Sequence, residues 1–486
     1  MANTVCKFMH GPLAPVHPYR GRRGLWTTLL LAGFTFWLRA PAPLAAGPSP
    51  SDRIVVMISV DGLAGFYLDD PQAEMPTLRA LAAQGASSGQ MRASTPTVTW
   101  PNHTTLVTGV NPARHGVVGN NYLDRETGKR VRLISDPVFD KEQIVKVPTI
   151  YDLAKSNGLK TTAIRWPATR NAPTLDWTIP DMAAGPAMFR YSTPALLENC
   201  VRAGIPFATA AAASTNLVLS QTNVSSIEAV VSRIFNLVLH EQRPNLALLH
   251  IIEVDHVEHE HGPRSPQAYA AIKDADDRVR EVWEELQRDF PQKATLFVVS
   301  DHGFSPIQRT LFPNVLLRRA GLYASPTNGP VQVVCQGGAA LVYMLDVAQR
   351  NRLLTETIKA LADMEGLAKV VPARDFKKYG VADPAVDPHA PDLILFAKMG
   401  CVFGDTADGD LPFKEKPERS GSHGHDPDLP DLHAVCIAWG AGIKRGVNLG
   451  RISNTSVAPT IAQLLGFSIP NPDGRPLRRA LAKGTH

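Results

Sequence analysis

The chain of 486 residues has no internal repeat, no low-complexity tract and no C-x-x-C pair among its five cysteines. The first two absences exclude solenoid, propeller and linker-like architectures, and the third excludes the common paired-cysteine zinc and redox sites. A basic excess is missing too once the first 46 residues are set aside. These carry Lys7, Arg20, Arg22, Arg23 and Arg39 and no acid, so the formal net charge drops from +5 to zero without them. A duplex nucleic-acid binder needs a concentrated positive face, and this balance argues against one.

The N-terminal segment is equally defined by what it lacks. Its apolar run from Leu25 to Leu38 follows Arg20, Arg22 and Arg23 but is too short to cross a bilayer comfortably. Small residues follow in Ala40-Pro41-Ala42-Pro43-Leu44-Ala45-Ala46. This layout predicts a signal peptide over residues 1–46, cleaved after Ala46, in preference to a retained membrane anchor. The exported chain is expected in a periplasmic or secreted location, with no stable membrane insertion. Cys200, Cys335, Cys401 and Cys436 stay with it, and one or two disulfides are open to it in an oxidising compartment.

What is present is an alternation. Apolar runs at 54–60, 161–165, 246–252, 295–300, 393–397 and 434–439 read as strands. Stretches at 76–84, 148–157, 225–241, 266–288, 347–363 and 456–465 have the apolar spacing of covering helices. The pattern predicts an α/β fold, a mostly parallel sheet flanked by helices, occupying residues 47–486. The interval of about 306–420 is rich in Pro, Gly and turn residues, with strand-like pieces at 331–345, and reads as an inserted cap lobe.

Acidic and histidine residues fall at the ends of these runs. Asp61 closes 54–60, Asp255 follows 246–252, and Asp301-His302 follows 295–300. Ligands of parallel sheets gather at the carboxyl ends of the strands, so these groups are expected to converge on one edge. With His259 four residues after Asp255, the set has the ligand chemistry of a divalent-metal site. A solvated helix start is the plain reading of Asp255 and His259 taken alone, because His256, Glu258, Glu260 and His261 surround them. In Thr97-Val98-Thr99-Trp100-Pro101-Asn102-His103, Pro101 suits the first turn of a helix, which puts Thr99 at or just outside its N-terminus. There a helix dipole and a nearby cation would favour an ionised hydroxyl, although a simple N-cap accounts for a lone threonine as well.

Six motifs in order decide between these readings. Val60-Asp61-Gly62, Thr97 to His103, His115-Gly116-Val117-Val118-Gly119-Asn120, Glu253-Val254-Asp255 with His259, Ser300-Asp301-His302-Gly303 and Gly421-Ser422-His423-Gly424 resemble the nucleotide pyrophosphatase/phosphodiesterases of the alkaline phosphatase superfamily. The resemblance covers nearly the whole exported chain. It implies an alkaline-phosphatase-like fold and a site for two zinc ions, with other divalent metals admissible. Asp61, Thr99, Asp301 and His302 would hold one ion, and Asp255, His259 and His423 the other. It further implies that Thr99 attacks phosphorus, that Asn120 hydrogen-bonds a phosphoryl oxygen, and that Trp100 flanks the substrate's base or leaving group, with buried packing the alternative for that ring. The Gly-x-His-Gly pattern selects His423 over His425. Asp69, Asp70 and His103 read as surface groups or supports.

The expected activity is hydrolysis of small phosphodiester or nucleotide substrates through a phosphothreonine intermediate. Region 165–195 lacks the paired tyrosines of nucleotide-selective relatives, with Tyr191 the one available substitute. Phosphonoacetate hydrolase is similar over 119–128 but uses lysines where this chain has Arg165 and Arg170. A phospholipid or phosphocholine diesterase is a further alternative, and a catalytically inactive binding protein a weaker one, since every expected position is filled. No Cys/Ser-x-Pro-x-Arg arrangement supports a sulfatase.

Overall fold

Residues 52–134, 139–182, 186–206 and 227–484 are described in this computed structural model. The leader expected over 1–46 lies outside them. A nine-stranded sheet organises the rest. Its order is Val447–Asn448, Ala86–Arg92, Ala434–Gly440, Ala294–Val299, Ile54–Val60, Leu246–Ile251, Thr161–Ile164 and Trp177–Ile179, with Ile452–Ser453 also paired to Ala86–Arg92.

The central strands are buried along their whole length because both faces are covered, and they are apolar but for Ser59, His250 and Thr295. Along Ile54–Val60, Val56, Ile58 and Val60 enter one core with residues of the helices Pro76–Gln84, Ile227–Gln242 and Pro266–Asp289. Val55 and Met57 point the other way, into a second core with Thr99–Thr108, Ile150–Ser156 and Val457–Leu464. This is the two-residue strand period filling two layers at once.

All sheet pairings are parallel except those of Ala434–Gly440, which runs antiparallel to both neighbours. The cause is the direction of approach. The chain reaches Ala434 through a short segment from His423, which already lies at the carboxyl edge, and a short connection from one edge can only feed an antiparallel strand.

Between Asp301 and His423 the chain leaves the large sheet. Ser305–Leu311 and Phe413–Ser422 pair antiparallel, with Gly400–Phe403 alongside the former. Beyond them stands a four-stranded antiparallel sheet in the order Val331–Gln336, Ala339–Met344, Leu393–Ala397 and Leu367–Pro372. The run at 393–397 therefore belongs to this second sheet and not to the large one. Its five residues are all buried, and a strand buried on both faces reads alike whichever way its neighbours run.

Cys200, Cys335, Cys401 and Cys436 are all unpaired. They sit on four separate elements, with Cys436 inside the large sheet, so no disulfide forms among the described residues. No described helix is long and apolar enough to cross a membrane.

Candidate metal centre and nucleophile

Three adjacent strands build the floor. Ala294–Val299, Ile54–Val60 and Leu246–Ile251 are parallel neighbours in near-even register, so their following residues emerge on one edge. Asp61 leaves the middle strand, its N–H donating to Ile251 O at 2.8 Å. Asp301 and His302 leave the second, and the third runs into the helix Glu253–His261 that carries Asp255 and His259 one turn apart. His423 arrives from outside the large sheet. Register Ser422 to Ser305 and Gly421 to Pro306 sets it beside Phe304 and His302. There its ring stacks on His302 with centroids 3.7 Å apart.

The groups converge as two overlapping clusters. Asp61, Asp301 and His302 have donor atoms within 4.8 Å of one another, and so have Asp255, His302 and His423. His302 Nε2 lies 3.0 Å from Asp301 Oδ2 and 3.5 Å from Asp61 Oδ1. His423 Nε2 is 3.5 Å from Asp255 Oδ1, and His259 Nε2 is 3.5 Å from Asp255 Oδ2.

Histidine tautomers follow from the other ring nitrogen. Nδ1 of His302, His423 and His259 faces the carbonyl of Gly303, Thr97 and Gly421 at 3.2, 2.9 and 3.2 Å. A carbonyl only accepts, so each Nδ1 carries the proton and each Nε2 presents a lone pair inward. His259 Nε2 and His423 Nε2 then face each other at 3.2 Å as two acceptors. The buried Asp61 Oδ1, Asp255 Oδ1, Asp301 Oδ2 and His302 Nε2 have no hydrogen-bond partner. Each unpaired buried polar atom costs about 1–3 kcal/mol. A divalent cation would satisfy these convergent lone pairs together, so the residues fit a metal centre.

Burial, and then repulsion from Asp255, raises the Asp61 carboxyl far above the ordinary range. Burial, then Asp61, does the same to Asp301. Burial presses His302 well down and His423 down to about 4, which keeps both imidazoles neutral, as ligands must be.

Thr99 is the first residue of a ten-residue helix, Thr99–Thr108, buried throughout and ended by Gly109 at φ 70°. Val98 before it is extended and gives no side-chain cap. The Asn102 amide stitches the approach by donating to Pro96 O and Val98 O at 2.9 and 2.8 Å. Thr99 is bracketed by the centre: Thr97 O holds His423, and Thr99 O accepts from His103 Nδ1 at 2.9 Å. The same His103 nitrogen lies 3.6 Å from Asp301 Oδ2. Asn120 Oδ1 accepts from the Trp100 N–H at 2.9 Å, so its amide NH2 is left to act as donor beside that helix terminus.

Some expected residues sit elsewhere. Trp100, read as a flank for a substrate base, is 4% exposed and packed among Val117, Val118, Tyr122 and Ile144. Its backbone N–H meets Asn120, while its ring belongs to the core. Arg165 pairs with Glu228 at 3.1 Å, and Arg170 pairs with Asp140 at 2.6 Å while lying over the Tyr191 ring. Tyr191 is thereby covered on one face. Asp69 is exposed, and Asp70 accepts from Tyr269 Oη at 2.9 Å. His425 donates to Cys401 O at 2.8 Å, away from both clusters. His250 was missed by sequence reasoning. One ring nitrogen lies 3.0 Å from Asp61 Oδ2 and the other 3.0 Å from Arg165 O. The available signal was a histidine inside an otherwise apolar strand.

Comparison with known proteins shows the family and the fold. The profile for type I phosphodiesterase / nucleotide pyrophosphatase matches residues 55–426. Venom phosphodiesterase 2 of Crotalus adamanteus is 24% identical over 416 residues, 85% of this chain and 45% of that protein. Ectonucleotide pyrophosphatase/phosphodiesterase family member 1 of Mus musculus is 26% identical over 426 residues, 86% of this chain and 41% of that protein. The chain thus spans less than half the length of these curated relatives. Among solved structures, inactive murine ectonucleotide pyrophosphatase/phosphodiesterase 5 in complex with AMP superposes with a TM-score of 0.67 at 19% identity, covering 88% of this chain and 100% of that one. The human form of that protein superposes at 0.64, also at 19% identity, covering 87% and 97%. The fold is accordingly the α/β fold of these enzymes. Because the profile runs unbroken from the Ile54–Val60 strand through His423, the chain belongs to the type I phosphodiesterase / nucleotide pyrophosphatase family.

Proposed function

We propose that the chain is an exported phosphodiesterase/nucleotide pyrophosphatase that cleaves phosphodiester or pyrophosphate bonds through a phosphothreonine intermediate. The observation that carries this reading is the set of inward lone pairs on His302, His423 and His259 beside a helix-terminal threonine. Asp61, Asp301, His302 and Thr99 would hold one divalent ion, and Asp255, His259 and His423 a second, with zinc the choice for this ligand set. When bound, such ions favour the ionised hydroxyl, neutralise non-bridging oxygens and stabilise the leaving oxygen.

The chain's own residues do the rest. Thr99 Oγ attacks phosphorus in line, assisted by its place at the N-terminal end of a buried helix, as the opposite P–O bond breaks and the alcohol or nucleotide leaves on its oxygen. The Asn120 amide, with its oxygen occupied by Trp100 N–H, donates to a non-bridging oxygen. Water then hydrolyses the phosphothreonine, and two inversions give net retention at phosphorus. Phosphoryl transfer asks mainly for positioning and charge stabilisation, which this equipment supplies. A nucleotide leaving group is supported by the AMP bound in the murine relative and by the names of the curated relatives. Those relatives are ecto- or venom enzymes by name, which together with the residues 1–46 supports export.

A substrate panel on the zinc-loaded exported form tests the reading. A nitrophenyl nucleotide diester and a dinucleotide should be turned over well ahead of a nitrophenyl monoester, phosphonoacetate or a choline phosphodiester. Strong preference for the monoester or phosphonoacetate would overturn it, and a chiral phosphorothioate diester should report retention.

A further inference from the structure

The Asn120 side chain is held through its oxygen, but its backbone is held by a residue from a distant part of the chain. Gln336 closes the strand Val331–Gln336 of the four-stranded sheet and is 4% exposed. Its Oε1 accepts from Asn120 N–H at 3.0 Å, and its Nε2 donates to Asn121 O at 2.7 Å. One side-chain amide therefore pairs with the peptide groups on both sides of the Asn120 carbonyl-bearing turn, as a neighbouring strand would.

The turn that follows grips the other side of the centre. Gly338 N–H donates to His423 O at 2.7 Å. The approach is close enough that a Cβ at Gly337 would fall 2.3 Å from His423 O, and one at Gly424 would fall 1.9 Å from Gln336 O. A Cβ at Gly119 would meet Gln336 Cδ at 3.1 Å. Strands behind the turn anchor it, with Ala397 N–H donating to Gly338 O at 2.9 Å and Phe403 N–H to Gly337 O at 2.8 Å. The tip Gln336-Gly337-Gly338 is thus a rigid wedge between Asn120 and His423, and neither loop can shift without breaking its bonds to the wedge.

We propose that Gln336 is a positioning residue for the reaction: it fixes the Asn120 backbone so that the Asn120 amide is aimed at a phosphoryl oxygen beside Thr99. The inference rests on the role given to Asn120 above. It also assigns a task to the segment between Asp301 and His423, which contributes the wedge.

Gln336→Met keeps the length of the side chain and removes both hydrogen bonds; Gln336→Ala is read in its place if the Met chain does not melt cooperatively. Both are compared with Asn120→Ala and with the double variant on a nitrophenyl nucleotide diester. Loss of one transition-state donor in Asn120→Ala should lower kcat on the order of 10²-fold to 10³-fold. Gln336→Met should lower kcat about 10-fold to 100-fold with KM little changed, the signature of an interaction expressed in the transition state. If Gln336 acts through Asn120, the double variant is no slower than Asn120→Ala alone, whereas a general structural role makes the two losses multiply. Multiplying losses, or a Gln336→Met chain with wild-type kcat while Asn120→Ala is impaired, would overturn the inference and leave the function standing. Full activity of Asn120→Ala would instead remove the assigned role of Asn120, and the inference with it.

Discussion

The two halves of the candidate centre draw on the same donor types, carboxylate and imidazole, in very different surroundings. Asp61, Asp301 and His302 are buried at the ends of adjacent strands, where sheet register fixes their spacing. Asp255 and His259 ride on a nine-residue helix, and His423 directly follows a strand of another sheet. The His259 side chain is 42% exposed. The contrast teaches that the inner half is a property of the sheet, whereas the outer half exists only while helix, sheet and wedge are docked together. A cation should sit tightly and exchange slowly in the inner half, and exchange readily in the outer one.

The sharpest break is at Thr99, the proposed nucleophile, beside the inner half. Thr99→Ala should lower kcat on the order of 10⁴-fold or more while metal analysis still finds nearly two ions per chain. Metal lost along with activity would make Thr99 chiefly a ligand. Next in size, Asp301→Asn should remove the inner ion and lower kcat on the order of 10³-fold, with no recovery on adding zinc.

The outer half should behave otherwise. His259→Ala is expected to weaken metal affinity about 10-fold to 100-fold, so activity returns when zinc is raised in the assay. Under a chelator, wild type should then lose metal in a fast and a slow phase, with the fast phase absent from His259→Ala. A single phase in both would erase the distinction between the halves. The smallest effect belongs to His425, two residues from His423 but bonded to Cys401 O. His425→Ala should cost about 1–3 kcal/mol of stability, seen as a lower Tm, and leave metal content and kcat near wild type.

Legibility followed the same division. Asp61 and Asp301-His302 could be read because an acid after a buried apolar run marks a strand's carboxyl end, and parallel strands bring such ends together. His423 could not be reached that way. It follows a strand exposed along most of its length, Phe413–Ser422, and only the motif order pointed to it. The run at 393–397 reads as a strand without revealing its sheet, because burial on both faces hides strand direction. For Trp100 the sequence leaves open whether the ring flanks a substrate or packs inside, since adjacency to Thr99 says nothing of which way a helical side chain turns; the fold buries it.

The amino-acid sequence by itself determined the α/β alternation, the strand ends that carry Asp61 and Asp301-His302 and the helix that presents Thr99, because apolar period and local turn chemistry act over a few residues. Tertiary structure alone decided that His250 meets Asp61, that Arg165 and Arg170 are spent on Glu228 and Asp140, and that Gln336 reaches Asn120 across more than two hundred residues. Such pairings depend on how sheets and loops dock, and no short-range pattern encodes that geometry.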